Sequence, residues 1–408
     1  MTRITTLANG LRVVSQAMPH VETVAVALHI DAGARHEGAG VNGVAHLFEH
    51  MVFKGTATRS ARDIAEVVED VGGSLNAYTA RDMTVFHARL LKDDLGLGVE
   101  VIADLVTGPL FDAEETEREK QVVLQELGEA RDTPDDIVFD HLQEAAFPGQ
   151  ALGRSILGTD DSIASLGPTH LRDWLATQYR AGSCVLVAAG AVEHEALVAM
   201  AEQRLGGLPA GERPATIGAS FGGTTHHDRR KFEQAHLTLG LSAPGHGASD
   251  HDAAMLFTTA AGGGASSRLF QELREDRGLA YSVYASTTPY ADTGLFSVYL
   301  ATAKRDAAKA LALTDTVLAA TAAGLTQAEL DRAKAQVRAG LLMSLEAPGG
   351  WSEYLARSLL VHGRVVPTAE VVARINAVTV DEARAAGAAM LAGPRARADV
   401  GAPLLKAA

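Results

Sequence analysis

The chain has 408 residues, 47% hydrophobic and 21% charged, the balance of a folded globular protein and not of a disordered or fibrous one. Its length suggests about two to three domains. The charge sum, 36 − 50 = −14, argues against nucleic acid as a partner, because phosphate binding needs a basic face. It would suit a basic substrate without locating an acidic surface.

The opening "MTRITTLANGLRVV" carries neither an apolar signal core nor an Arg/Ser-rich leader, and no apolar run approaches the roughly 18 residues of a membrane span. A cytoplasmic protein without a membrane partner is expected. "TVAVALHI" (23–30) reads as a strand. Next comes "NGVAHLFEHMVFKG" (42–55), placed on a helix with Asn42 as N-cap and Gly55 as its stop. At 100° per residue, His46, Glu49, His50 and Phe53 fall in one arc, while Val44, Ala45, Leu47, Phe48, Met51 and Val52 fill the rest. Imidazoles and a carboxylate on so apolar a helix are costly unless something pairs with them. Histidines at i and i+4 can share a zinc ion, and the intervening H-x-x-E-H glutamate is then free to act as a base. Two satisfied core histidines beside a surface glutamate are the alternative.

Further along, "SARDIAEVVEDVG" (60–72) and "DDLGLGVEVIADLVTG" (93–108) read as helices around a strand at "MTVFHARLL" (83–91). The helix "AEETEREKQVVLQELGEARD" (113–132) carries Glu119 and Glu126 seven residues apart, nearly aligned, with Val122 and Val123 between them. That places both carboxylates on a half-apolar face, although a run this rich in charge also reads as solvated surface. The single cysteine, Cys184, lies in the apolar run "SCVLVAAG" and reads as a small buried hydrophobe.

The metal motif and this helix together resemble the pitrilysin-type inverted zincins, most closely the two-domain branch of the mitochondrial processing peptidase and its bacterial relatives. "AHLFEHMVFKGT" matches that family's signature, and Glu126 follows His50 by 76 residues, the family's spacing to its third ligand. The resemblance covers essentially the whole chain. It implies one zinc ion per chain held by His46, His50 and Glu126, with Glu49 as general base and Glu119 as a supporting acid near the site. It also implies that "GGSLNAYTARDMTVFHARL" (72–90) lies beside the metal and binds substrate main chain, with Asn76, Ala77 and Tyr78 near the scissile bond. An ordinary sheet strand is the plainer reading of that stretch.

An internal repeat is visible at an offset of 214, where "FDAEETEREKQVVLQELGEARDTP" from Phe111 aligns with "LTQAELDRAKAQVRAGLLMSLEAP" from Leu325. Glu115, Arg118, Lys120 and Pro134 meet Glu329, Arg332, Lys334 and Pro348, but Glu119 meets Ala333 and Glu126 meets Gly340. Only the first half keeps the metal chemistry. The Gly/Pro/Ala/Thr-rich stretch 205–225 reads as a boundary, giving a zinc-binding domain at 1–208, a linker at 209–224 and a homologous, substrate-contacting domain at 225–408.

In the second half "AHLTLGLSAP" (235–244) and "GLFSVYLAT" (294–302) read as strands and "DAAKALALTDTVLAATAAG" (306–324) as a helix. Long helices beside short strands predict an α+β fold: two homologous α/β sandwich domains, each a mostly antiparallel sheet covered by helices. Within "SSRLFQELREDRGLAYSVYAS" (266–286), Arg274 and Tyr281 read in isolation as a helix charge and a core aromatic. The family resemblance implies instead a substrate-contacting pair that steadies the oxyanion. His226, His227, His236, His246 and His251 lie close in sequence without metal-ligand spacing, and read as surface or strand residues.

A zinc endopeptidase is therefore expected, hydrolysing peptides or presequence-like segments in a chamber by Glu49-assisted attack of a zinc-bound water. A homodimer is expected, with a heterodimer containing a sister subunit as the other arrangement. The rival reading is a non-catalytic scaffold subunit of the same superfamily.

Overall fold

The computed structural model describes residues 1–403. Among these, eleven strands form two sheets. The first contains β1 (Thr2–Thr6), β2 (Arg12–Ala17), β3 (Thr23–Ile30), β4 (Ser74–Thr79), β5 (Thr84–Leu91) and β6 (Cys184–Gly190), in the order β1-β2-β6-β3-β5-β4. The second contains β7 (Thr225–Asp228), β8 (Ala235–Ala243), β9 (Ala280–Pro289), β10 (Gly294–Thr302) and β11 (Arg395–Val400), in the order β7-β11-β8-β10-β9. All pairings are antiparallel except β2 with β6 and β7 with β11. This is the mixed α+β, mostly antiparallel sandwich expected.

The N-terminal half contributes, among other helices, α1 (Val44–Val52), α2 (Ala61–Glu69), α3 (Leu95–Thr107), α4 (Ala113–Asp132) and α5 (Pro134–Ala146). Alternation along β3 sends Val24, Val26, Leu28 and Ile30 into a core shared with α1 and α3. Glycine lets α3 approach closely, since a Cβ on Gly98 would come within 2.5 Å of Leu90 and 2.9 Å of Val26.

The opposite face of the first sheet is also covered, by a helix from the other half of the sequence. Leu355, Ala356 and Leu359 of the Pro348–His362 helix pack on Val14, Val185 and Val187. In return α5, from the N-terminal half, joins the second sheet, where Val138, Leu142 and Ala146 pack with Ala396, Ala398 and Val400. The two compact units are accordingly discontinuous. One comprises Met1–Leu127, Ser155–Ile217 and Leu342–Val366; the other comprises Gly128–Arg154, Gly218–Leu341 and the chain from Pro367. The ranges 1–208 and 225–408 differ from this, because linker composition reveals a crossing near residue 217 but not two helices that bury their apolar faces elsewhere. The exchanged helices are repeat equivalents, since Pro134 and Pro348 begin them at the offset of 214.

Local readings also shift. Helix α1 starts after Gly43, which sits at φ +91, and ends at Val52, so neither Asn42 nor Gly55 caps it. The 72–90 stretch is a hairpin of β4 and β5, turned at the Ala80 N–H to Met83 carbonyl bond of 2.7 Å. On α4 the buried side runs through Thr116, Glu119, Lys120, Val123 and Leu127, whereas Val122 is 41% exposed.

Candidate metal centre

The N-terminus of α1 is tied down by a buried carboxylate. Glu37, 4% exposed, accepts the N–H of Gly43 and of Ala45 at 2.8 Å each and the Asn42 side-chain amide at 2.8 Å. A carboxylate here satisfies orphan helix donors and complements the positive end of the helix dipole. It also fixes the rotation of α1 about its axis. Sequence reasoning misses Glu37, because no capping pattern spans the intervening turn.

That rotation aims His46 and His50 the same way, with ring centroids 4.6 Å apart. Glu126 arrives from α4: its Oε2 is 3.7 Å from His46 Nε2 and 3.5 Å from His50 Nε2. Each of the three residues offers a ligand atom, all within 4.8 Å of one another. Tetrahedral zinc with bonds of about 2.0–2.1 Å separates its ligand atoms by roughly 3.3–3.5 Å, so this triangle needs little contraction to hold one.

Glu119, 5% exposed, receives the Nδ1 proton of His50 on Oε2 at 3.0 Å, while Lys54 Nζ lies 2.6 Å from its Oε1. A carboxylate only accepts, so this bond sets the tautomer that leaves the His50 Nε2 lone pair facing Glu126. For His46, burial, reinforced by His50, pushes the pKa down to about 4. A metal-binding imidazole must be neutral, and the donor set of two imidazoles and a carboxylate is one zinc accepts. The residues present therefore fit the ion.

Glu49 is not part of the triangle. Thr79 of β4 donates its hydroxyl to Glu49 Oε2 at 2.6 Å, and burial raises the Glu49 pKa against that hydrogen bond and the nearby His50. Alternation on β4 turns Ala77 and Thr79 toward α1, and Asn76 and Tyr78 to the other face. There Tyr78 donates its hydroxyl to Glu353 Oε1 at 2.9 Å, on the exchanged Pro348–His362 helix. Asn76 Oδ1 accepts the Ala77 N–H at 2.8 Å. As the last strand of its sheet, β4 pairs with β5 on one side only.

In the other unit, Arg274 lies in a π-helical turn, Phe270–Glu275. Its guanidinium stacks between the Phe270 ring at 4.8 Å and the Tyr281 ring at 4.9 Å. Tyr281 is 74% exposed, so it is not the core aromatic that its isolated reading suggests.

A fold of two repeated sandwiches, one bearing H-x-x-E-H beside a glutamate helix, defines the inverted-zincin class, and comparison with known proteins agrees. The insulinase (peptidase family M16) model matches residues 12–160, and the peptidase M16 inactive-domain model matches 165–337. An uncharacterized zinc protease of Mycobacterium tuberculosis is 39% identical over 94% of this chain and 89% of its own length. The mitochondrial-processing peptidase subunit beta of Lentinula edodes is 34% identical over 93% of this chain and 85% of its own. Among solved structures, a peptidase M16 inactive domain from Pseudomonas fluorescens superposes with a TM-score of 0.92 at 24% identity, covering all of both chains. The chain belongs to the peptidase M16 family. Among the described residues, no single helix is long and apolar enough to cross a membrane.

Proposed function

We propose that this chain is a zinc-dependent endopeptidase cleaving peptides or presequence-like segments. One observation carries the reading: His46, His50 and Glu126 converge to ligand distance while Glu49, on the same helix face, is left out of the triangle and held by Thr79. A zinc ion held there supplies Lewis acidity toward water and toward a peptide carbonyl. Glu49 then takes a proton from the attacking water and delivers it to the departing amine. Its raised pKa brings it nearer the operating pH, which favours proton transfer in both directions. Glu119 acts through His50, keeping that ring oriented.

The free edge of β4 supports main-chain binding of an extended peptide as an added strand, with Ala77 on the α1 side and Asn76 and Tyr78 on the other. Arg274 and Tyr281 are assigned to substrate contact; support comes from their mutual stacking, which holds the guanidinium in place. Peptide is thus the partner in catalysis, and a homodimer the expected assembly.

Glu49→Gln tests the core of this. The variant should bind zinc as the wild type does and lose at least about 100-fold in peptide cleavage, the scale of general acid–base catalysis. Wild-type cleavage by a folded Glu49→Gln protein would show the base to be wrong. Zinc-loaded wild type with no hydrolysis of a peptide library would instead favour the scaffold reading.

A further inference from the structure

The second compact unit carries its own convergence of metal-ligating side chains. Among the described residues, two groups of His, Cys, Asp or Glu bring ligand atoms within 4.8 Å of one another: the triangle already described, and His141, Glu144 and His226. His141 and Glu144 are three apart on α5, so they share a face of that helix. His226 comes from β7, and alternation puts His226 and Asp228 on one face and His227 on the other, where His227 Nδ1 meets Asp399 at 2.9 Å. Helix α5 packs against β7, β8 and β11, which brings the three side chains together although 85 residues separate His141 from His226.

The two imidazoles stack with centroids 3.9 Å apart and 16° between planes. Two cationic rings would repel at that separation, so the pair suits neutral imidazoles, the form a metal needs. Asp228 Oδ2 lies 3.5 Å from His141 Nε2 and is itself anchored by Arg230 Nε at 2.8 Å. Parallel rings share no in-plane point, so binding turns at least one of them about its Cβ–Cγ bond. Both are half-buried and Glu144 is exposed, so that turn disturbs no packed core.

We propose that His141, Glu144 and His226 form a second site for a divalent transition ion of the zinc type, clipping the exchanged helix α5 to the edge strand β7. Two imidazoles and one carboxylate suit zinc better than magnesium or calcium, which prefer all-oxygen shells. The clip has a structural purpose. Strand β7 is four residues long, lies at the sheet edge and pairs only with β11, so few backbone bonds hold it. A shared ion would join it directly to the helix covering that sheet. The site stands whether or not the chain is a peptidase.

Zinc counting on the full-length protein, dialysed against low-micromolar zinc and measured by plasma mass spectrometry, tests it. The wild type should hold two ions per chain, His50→Ala one, His226→Ala one, and the double variant none. Melting of His50→Ala should shift upward with added zinc, and that shift should vanish in His50→Ala/Glu144→Gln, whose second change is at an exposed position and so spares folding. One ion in the wild type and none in His50→Ala would overturn the second site and leave the first intact. One ion in both, lost in His226→Ala, would support the second site and remove the metal reading of the first.

Discussion

Five side chains, His46, Glu49, His50, Glu119 and Glu126, divide the work at the centre by what each is bonded to. Glu119 is committed on both sides, to His50 and to Lys54, so it is a poor proton shuttle and a good anchor. Replacing it with Gln removes the charge while keeping the shape. The expected result is zinc affinity weakened by about 10–100-fold with a smaller change in cleavage at saturating zinc, read by competition with a chelator. His29 illustrates a different constraint. It lies fully buried on the sheet face under the exchanged helix, 3.3 Å from Ser352 Oγ, and burial first, then His87 and Arg357, depress its pKa to about 3. The unfolded chain therefore takes up a proton near pH 6.5 that the folded chain refuses. Stability from His29 is thus complete above pH 6.5 and is lost as pH falls toward 3, by roughly 3–5 kcal/mol over the whole window. Chemical denaturation between pH 7 and 4 should show that decline, and His29→Gln should flatten it. An identical slope in the variant would place the acid sensitivity elsewhere.

At the level of elements, the metal helix is only as well aimed as its cap. Glu37→Ala strands the Gly43 and Ala45 amides in a buried place and costs the Asn42 amide one of its two bonds, the other going to the Ser155 carbonyl, each bond to a charged group being worth about 1.5–3 kcal/mol. A loss of several kcal/mol is expected in urea melts, with weaker zinc binding alongside; full stability would show the cap to be dispensable. Much of this element is legible in the sequence, since i,i+4 geometry makes H-x-x-E-H readable wherever a helix forms. The seven-residue spacing of Glu119 and Glu126 works for the same reason, although Val122 misleads because the buried arc of α4 runs one position further, through Val123. β3 is readable from its Val, Leu and Ile content, and β10 from its run of Leu, Phe, Val and Tyr. Thr79 and Lys54 are not, because each meets its partner at the centre through tertiary packing, and Glu37 is not, because no capping pattern spans the turn between it and Gly43. The His141–Glu144–His226 group is invisible because its members meet through tertiary packing: β7, paired with β11 from the far end of the chain, sets His226 against α5.

At the scale of the whole molecule, the expected assembly has a direct measurement. Sedimentation velocity of the purified chain should give a homodimer, and a fully active monomer would defeat that expectation. The repeat adds a constraint of its own. Each half of the sequence lends its counterpart the helix after its long charged one, Pro134–Ala146 outward and Pro348–His362 in return. A polypeptide containing one repeat alone would show a bare sheet face lined by Val14, Val185 and Val187, or its equivalent lined by Ala396, Ala398 and Val400. Fragments severed near residue 217 should therefore be insoluble or molten apart and regain order when mixed.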